Sequence, residues 1–119
     1  LVNNGIYAMT GGQSAQTTPK GLKTKTHPTG FPERPFDIAN LVLSAGADYV
    51  ARWTTYHIVQ LKNSIKEALN MKGFRFIEVV SQCPTHFGRA IGITEPWALM
   101  QRFKEMAEKG EIKVGVFTK

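Results

Sequence analysis

The sequence predicts an α/β domain with a mostly parallel sheet flanked by helices. Short runs of β-branched and aromatic residues alternate with segments of helical period, the pattern of strand–helix–strand units. The run Phe74–Val80 is almost unbroken in its apolar character, as expected for a strand covered on both faces. At 119 residues, 42% of them hydrophobic, the chain suffices for one core and not for two.

The elements follow in order. Leu1-Val2-Asn3-Asn4 reads as the end of a strand, and a long stretch without period 2 or 3.6 runs from about Gly5 to Pro35. Asp37 is placed to cap a short helix through Leu41, Val42 and Leu43 that Gly46 ends. Asp48–Trp53 is a strand, and Thr54 or Thr55 is expected to cap the next helix. Its buried stripe is expected to be Ile58, Leu61, Ile65 and Ala68, and Gly73 stops it. Ser81–Ile93 is a second irregular segment. Thr94-Glu95-Pro96 starts a last helix, with Trp97, Met100, Phe103 and Met106 or Ala107 facing inward and Gly110 at its end. Val114–Phe117 is a short closing strand.

Composition narrows the function. Fifteen Lys and Arg against nine Asp and Glu give a net charge of +6, which favours anionic partners. The single cysteine excludes an intrachain disulfide framework and any metal site needing several thiolates from this chain alone. No apolar run approaches the roughly 20 residues of a membrane helix, so no membrane partner is expected. The loop 5–35 holds Lys20, Lys23, Lys25 and Arg34 against one acid, Glu33, and reads as a binding loop.

Two segments that follow strands carry the candidate chemistry, because ligands of open α/β sheets bind beyond the carboxyl ends of the strands. In Asn3-Asn4-Gly5-Ile6-Tyr7-Ala8-Met9-Thr10-Gly11-Gly12-Gln13, the amide oxygens and turn carbonyls suit a hard cation such as Mg²⁺. The glycines allow close approach of a phosphate to backbone N–H groups. The same Asn-Gly is also an ordinary turn dipeptide. In Cys83-Pro84-Thr85-His86 the thiolate can face outward from a loop, whereas a lone cysteine is otherwise a small buried hydrophobe. Cys83 and His86 supply at most two zinc ligands, with nothing to complete a tetrahedron. None of His27, His57 or His86 is assigned a catalytic role, and no catalytic side chain is named. The charge also permits a nucleic-acid-binding domain in which Phe31, Phe36 or Tyr49 stacks on bases, although no recognised binding motif is present.

Together the two segments, with Thr17-Thr18-Pro19 between them and Phe76-Ile77-Glu78-Val79-Val80-Ser81-Gln82-Cys83-Pro84-Thr85 closing the pattern, resemble the β subunit of 2-oxoacid:ferredoxin oxidoreductases, best the archaeal 2-oxoglutarate synthase type. The resemblance runs from Leu1 to about Arg89 and more loosely to the end. It implies the C-terminal portion of a thiamine-diphosphate-binding fold, with residues 1–93 as the end of the pyrophosphate-type domain and 94–119 as a helix and strand of the same subunit. The implied reaction is oxidative decarboxylation of a 2-oxoacid, most simply 2-oxoglutarate, to acyl-CoA, with electrons passing through an iron–sulfur cluster to ferredoxin. Pyruvate or a branched-chain 2-oxoacid is the alternative substrate.

By the same resemblance Asn4 gives Mg²⁺ its side-chain oxygen and Ile6 its backbone carbonyl, while Gly5, Tyr7, Met9 and Thr10 lie along thiamine diphosphate. Cys83 matches the last cysteine holding a 4Fe-4S cluster, which takes four thiolates. Lys20, Lys23 and Lys25 are candidates for binding the 2-oxoacid carboxylates or steering CoA. The implied partners are an α subunit, ferredoxin, CoA and a 2-oxoacid, with no nucleic acid, in a cytoplasmic hetero-oligomer. The family's upstream Gly-Asp-Gly and its three other cluster cysteines are absent here. The chain therefore reads as the C-terminal half of the subunit, inactive by itself.

Overall fold

The computed structural model describes residues 1–118. Its main sheet has four strands, β1 (Val2–Asn3), β4 (Tyr49–Thr54), β5 (Arg75–Val80) and β6 (Gly115–Phe117), in the order β1-β5-β4-β6. The first three are parallel, with Val2 beside Val79 and Tyr49 beside Arg75. The fourth is antiparallel, with Val50 opposite Phe117. A second, two-stranded sheet pairs β2 (Ile6–Tyr7) with β3 (Gln13–Ser14). The helices are α1 (Ile38–Ser44), α2 (Ile58–Asn70), α3 (Phe87–Ile91) and α4 (Pro96–Glu108).

The alternation of side chains along the strands divides the core in two. Val50 packs on one face of the sheet with Ala39, Ala47 and Phe117, and Val42, Leu43 and Phe76 pack around them. Tyr49 and Ala51 face the other way onto Ala68, with Trp53, Met71 and Ile77 around them. The first face also carries two charges side by side, because register pairs Arg52 of β4 with Glu78 of β5.

Several elements depart from the sequence reading. Neither Thr54 nor Thr55 caps α2. His57 occupies the N-cap, and its Nδ1 lies 2.7 Å from the Thr54 hydroxyl. The face of α2 is rotated: Ile58 and Ile65 are exposed, whereas Ser64 and Ala68 are buried. Those small side chains let the helix approach β4, where the Trp53 indole N–H donates to Ser64 Oγ at 2.7 Å. On α4 the buried residues are Leu99 and Phe103, and Trp97 is exposed. The cap there is Glu95, whose carboxylate accepts from the Trp97 and Ala98 N–H groups. β5 is covered less evenly than its apolar run suggests, and its one fully buried residue is the acid, Glu78. Segment 81–93 is not wholly irregular, since it contains α3. Asp37 caps α1 as expected, its carboxylate accepting from the Asn40 N–H.

The loop 5–35 is a folded structure with its own small interior. Thr18, Leu22, Thr24 and Phe31 are buried in it, and the Gly21 and Phe31 N–H groups donate to the Phe31 and Leu22 carbonyls across its neck. Among the described residues no helix is long and apolar enough to cross a membrane.

Candidate functional site

The site begins where β1 stops. The last residue of β1, Asn3, donates from Nδ2 to Glu78 Oε1 at 2.9 Å. Its Oδ1 accepts from the Gly5 N–H at 2.9 Å and from the Thr17 hydroxyl at 2.8 Å. Asn4 is engaged only locally, its Oδ1 accepting from the Ile6 N–H at 3.2 Å. An amide oxygen has two lone pairs, so Asn4 retains acceptor capacity that Asn3 has lost. Gly5 turns the chain with φ +75°, and its carbonyl accepts from the buried Thr18 hydroxyl at 2.6 Å. A side chain at Gly5 would be strained by that φ and would press on the Phe87 ring.

Ile6 is buried, whereas Tyr7, Met9 and Thr10 are exposed, Met9 completely. The Thr10 hydroxyl is held at 2.6 Å by Gln13 Oε1, closing the β2–β3 hairpin. Its return passes Gly12, where φ is +97° and a Cβ would stand 2.8 Å from His86 Nδ1. The opening loop and the segment after β5 therefore interlock at two glycines, Phe87 against Gly5 and His86 against Gly12.

Cys83 follows β5 at the sheet's carboxyl end. Its thiol does not face outward to solvent, as the sequence suggested; it is buried on the wall of a cavity. The backbone around it is closed by the Gly88 N–H, which donates to the Cys83 carbonyl at 2.7 Å. The cavity, of about 550 Å³, brings Asn3, Asn4 and Gly5 together with Cys83. α4 closes it with Leu99, Arg102, Phe103 and Met106, and Arg52 and Glu78 border it from the sheet. Ile6, Tyr7, Met9 and Thr10 do not line it.

The field in this region is set by arginines. Arg52 donates from Nε to Glu78 Oε2 at 2.7 Å and from Nη2 to Asp37 Oδ1 at 2.6 Å. Burial opposes the charge on Arg52, but the bonds to Glu78 and then Asp37 outweigh it and hold its pKa above the ordinary value. Burial likewise opposes ionisation of Asp37, yet Arg52 and Asn40 keep its carboxyl below the ordinary range. Arg102 lies 5.6 Å over the Phe87 ring, and burial lowers its pKa, offset in part by Glu111. The basic residues of the loop lie apart: Lys20 and Lys23 line a second cavity of about 400 Å³ with Phe87, Ala90 and Arg102, while Lys25 borders neither. Among the described residues no three His, Cys, Asp or Glu side chains gather as a metal site.

Arg34 belongs to the loop read as a binding loop, whereas Arg52, Glu78 and Arg102 were not anticipated as site residues. For two of them a signal existed, since Arg52 is the only charge in its strand and Glu78 interrupts the apolar run that follows Arg75. The nucleic-acid reading loses two of its three stacking rings, because Phe31 and Tyr49 are buried.

A glycine turn and an amide pair thus end a parallel strand at a cavity, the place where open α/β domains bind their ligands. The profile of the thiamine pyrophosphate enzyme C-terminal TPP-binding domain matches residues 1–79, and the chain belongs to that family. It is 55% identical over 104 residues to the 2-oxoglutarate synthase subunit KorB of Methanothermobacter thermautotrophicus, covering 87% of this chain and 36% of the relative. To KorB of Methanocaldococcus jannaschii it is 48% identical over 130 residues, covering 98% and 48%. The 2-oxoacid:ferredoxin oxidoreductase subunit beta of Saccharolobus solfataricus is 38% identical over 84 residues, covering 71% and 28%. The fold superimposes on a solved 2-oxoglutarate:ferredoxin oxidoreductase from Magnetococcus marinus, with 2-oxoglutarate, coenzyme A and succinyl-CoA bound. That match has a TM-score of 0.74 and 29% identity, covering 100% of this chain and 45% of the other. The chain thus spans less than half the length of these relatives.

Proposed function

We propose that this chain is the cofactor-anchoring part of the β subunit of a 2-oxoacid:ferredoxin oxidoreductase acting on 2-oxoglutarate. The observation that carries the reading is the shared cavity, which joins the Asn4–Gly5 turn to the lone thiol of Cys83. The residues fit the groups required. Asn4 retains an oxygen lone pair that suits Mg²⁺ on a diphosphate, and the Ile6 carbonyl, from a residue outside the cavity lining, stays the proposed second ligand. Gly5 carries the chain past the cavity at φ +75° without a side chain, so a phosphate there can approach the backbone closely. In this reading Cys83 gives one thiolate to a 4Fe-4S cluster and the other three come from outside these 119 residues, a role its position on the cavity wall supports.

When bound, thiamine diphosphate supplies the ylid that attacks the keto carbon and the ring that accepts the carbanion left by CO₂. The chain's own work is to hold and orient. Asn3 and Thr18 pin the two sides of Gly5, so the turn is pre-formed, and Leu99 and Phe103 of α4 keep water from one wall of the cavity. Arg34 and Arg102 at that cavity, with Lys20 and Lys23 at the second, provide positive potential for an anionic 2-oxoacid and for CoA. Tyr7, Met9 and Thr10 remain proposed contacts of the cofactor on the exposed side of the hairpin. An α subunit and ferredoxin complete the assembly.

The complete polypeptide, co-expressed with its partner subunits and assayed without oxygen, tests the reading through CoA-dependent reduction of ferredoxin or a viologen dye. Turnover of 2-oxoglutarate faster than of pyruvate is expected, with Asn4→Ala losing Mg²⁺-dependent thiamine diphosphate binding. Faster turnover of pyruvate overturns the substrate assignment, and failure to take up the cofactor overturns the reading itself.

A further inference from the structure

We propose that Glu78 is a positioning residue for the cofactor turn: its carboxylate sets the orientation of the Asn3 amide, and through it the conformation of Asn4 and Gly5. The inference rests on the reading of that turn as the thiamine diphosphate anchor and adds a residue to it from the middle of the sheet.

The argument is one of donors and acceptors. An ionised carboxylate only accepts, so the Asn3 group facing Glu78 Oε1 at 2.9 Å has to be the NH₂. The Asn3 oxygen is thereby turned towards the loop, where it takes the Gly5 N–H at 2.9 Å and the Thr17 hydroxyl at 2.8 Å. With the amide reversed, an NH₂ would face two donors, and the Gly5 N–H would lose its partner at the residue with φ +75°.

Glu78 is itself immobilised. It is 2% exposed, and its second oxygen accepts from Arg52 Nε at 2.7 Å. Arg52 is anchored in turn by Asp37, the N-cap of α1. The chain Asp37–Arg52–Glu78–Asn3–Gly5 therefore runs as a continuous line of hydrogen bonds from the start of a helix, through the sheet, to the turn. Partners hydrogen-bonded to metal ligands typically alter metal affinity when changed, and Glu78 acts one bond further back, through Asn3 and the turn that follows it.

The test uses the complete enzyme stripped of thiamine diphosphate and Mg²⁺. Titration calorimetry measures how tightly the Mg²⁺–thiamine diphosphate pair returns, and the thermal midpoint of the stripped enzyme is recorded beside it. In Glu78→Gln, Arg52 Nε takes the amide oxygen and the new NH₂ opposes that of Asn3. Binding is expected to weaken roughly 10–100-fold. Adding Asn3→Asp is expected to restore it, because a carboxylate at position 3 accepts from the glutamine amide, from Gly5 and from Thr17 together.

Should the glutamine variant not fold, Glu78→Asp keeps the charge beside Arg52 but is too short to reach both Arg52 and Asn3, and weakened binding is expected again. Unchanged affinity in a folded variant overturns the proposal, even if its thermal midpoint falls, since that is what a purely structural ion pair would give. If the unaltered enzyme binds no thiamine diphosphate, the underlying cofactor reading falls instead.

Discussion

The two loops that meet at the cavity are built by different means. The segment from Gly5 to Pro35 is held by polar groups. The Thr18 hydroxyl, fully buried, donates to the Gly5 carbonyl and accepts from the Ala15 N–H, and Ser14 lies within 2.7 Å of both Thr24 Oγ1 and His27 Nδ1. The segment from Ser81 to Ile93 is held by backbone bonds, such as the Ile93 N–H to the Gly88 carbonyl at 2.8 Å, and by fit. Cys83 is buried, Phe87 lies over Gly5, and Gly88 sits so close to the Ile93 carbonyl oxygen that a Cβ there would overlap it. A loop shaped by hydrogen bonds can display its remaining amides and carbonyls to a charged ligand, whereas a loop shaped by packing can bury a thiol on a cavity wall.

Substitutions can separate the two schemes, and each effect is best read by chemical denaturation of the complete subunit. The largest loss is expected for Arg52→Met, which cuts the line of bonds that reaches the opening turn through Asn3 and leaves Glu78 buried with its charge unpaired. A cost of about 3–5 kcal/mol follows for breaking such a pair, and a loss below about 1 kcal/mol would mean that water replaces the guanidinium. Gly88→Ala should loosen the packed loop, at about 1–3 kcal/mol, with proteolysis within residues 81–93 rising in a subunit whose opening loop remains protease-resistant.

Thr18→Val should do the reverse at about 1–3 kcal/mol, because it orphans the Gly5 carbonyl and the Ala15 N–H, and Thr18→Ser should recover most of the loss. A smaller effect is expected from pH. Burial holds His57 below its ordinary value of 6.5, so the unfolded chain takes up the proton first. Stability should therefore decline as pH falls below about 6.5. A flatter profile in His57→Gln checks the assignment. Smallest of all is Met9→Ser, within about 0.5 kcal/mol, since Met9 is fully exposed. A large change in cofactor affinity in that variant would assign Met9 to binding.

Much of the fold was legible because its signals are local. Asp37 before an apolar run, Pro96 at the first turn of α4, and the β-branched strand ending at Val80 each act within a few residues. The candidate residues Asn4, Gly5 and Cys83 were legible as a motif, being chemically distinctive types after strands. The helix faces were misread for a reason that period alone cannot reveal. Ile58 and Ile65 satisfy the spacing of a buried stripe, but Ser64 and Ala68 are small enough to let α2 approach β4, and contact distance decided the face. The interior of the opening loop was missed because hydroxyls buried by mutual hydrogen bonding look, in a list of residues, like a solvated linker.

The order of strands and helices, the turns and the types of ligand atom on offer belong to the sequence, since each depends on neighbours a few bonds away. The tertiary structure alone decided that Arg52 stands beside Glu78, that Glu78 reaches Asn3, and that residues 3–5 share a cavity with residue 83. Those outcomes depend on strand register and on which helix covers which face. Both are settled by packing between segments up to 80 positions apart in the chain, and no local preference encodes them.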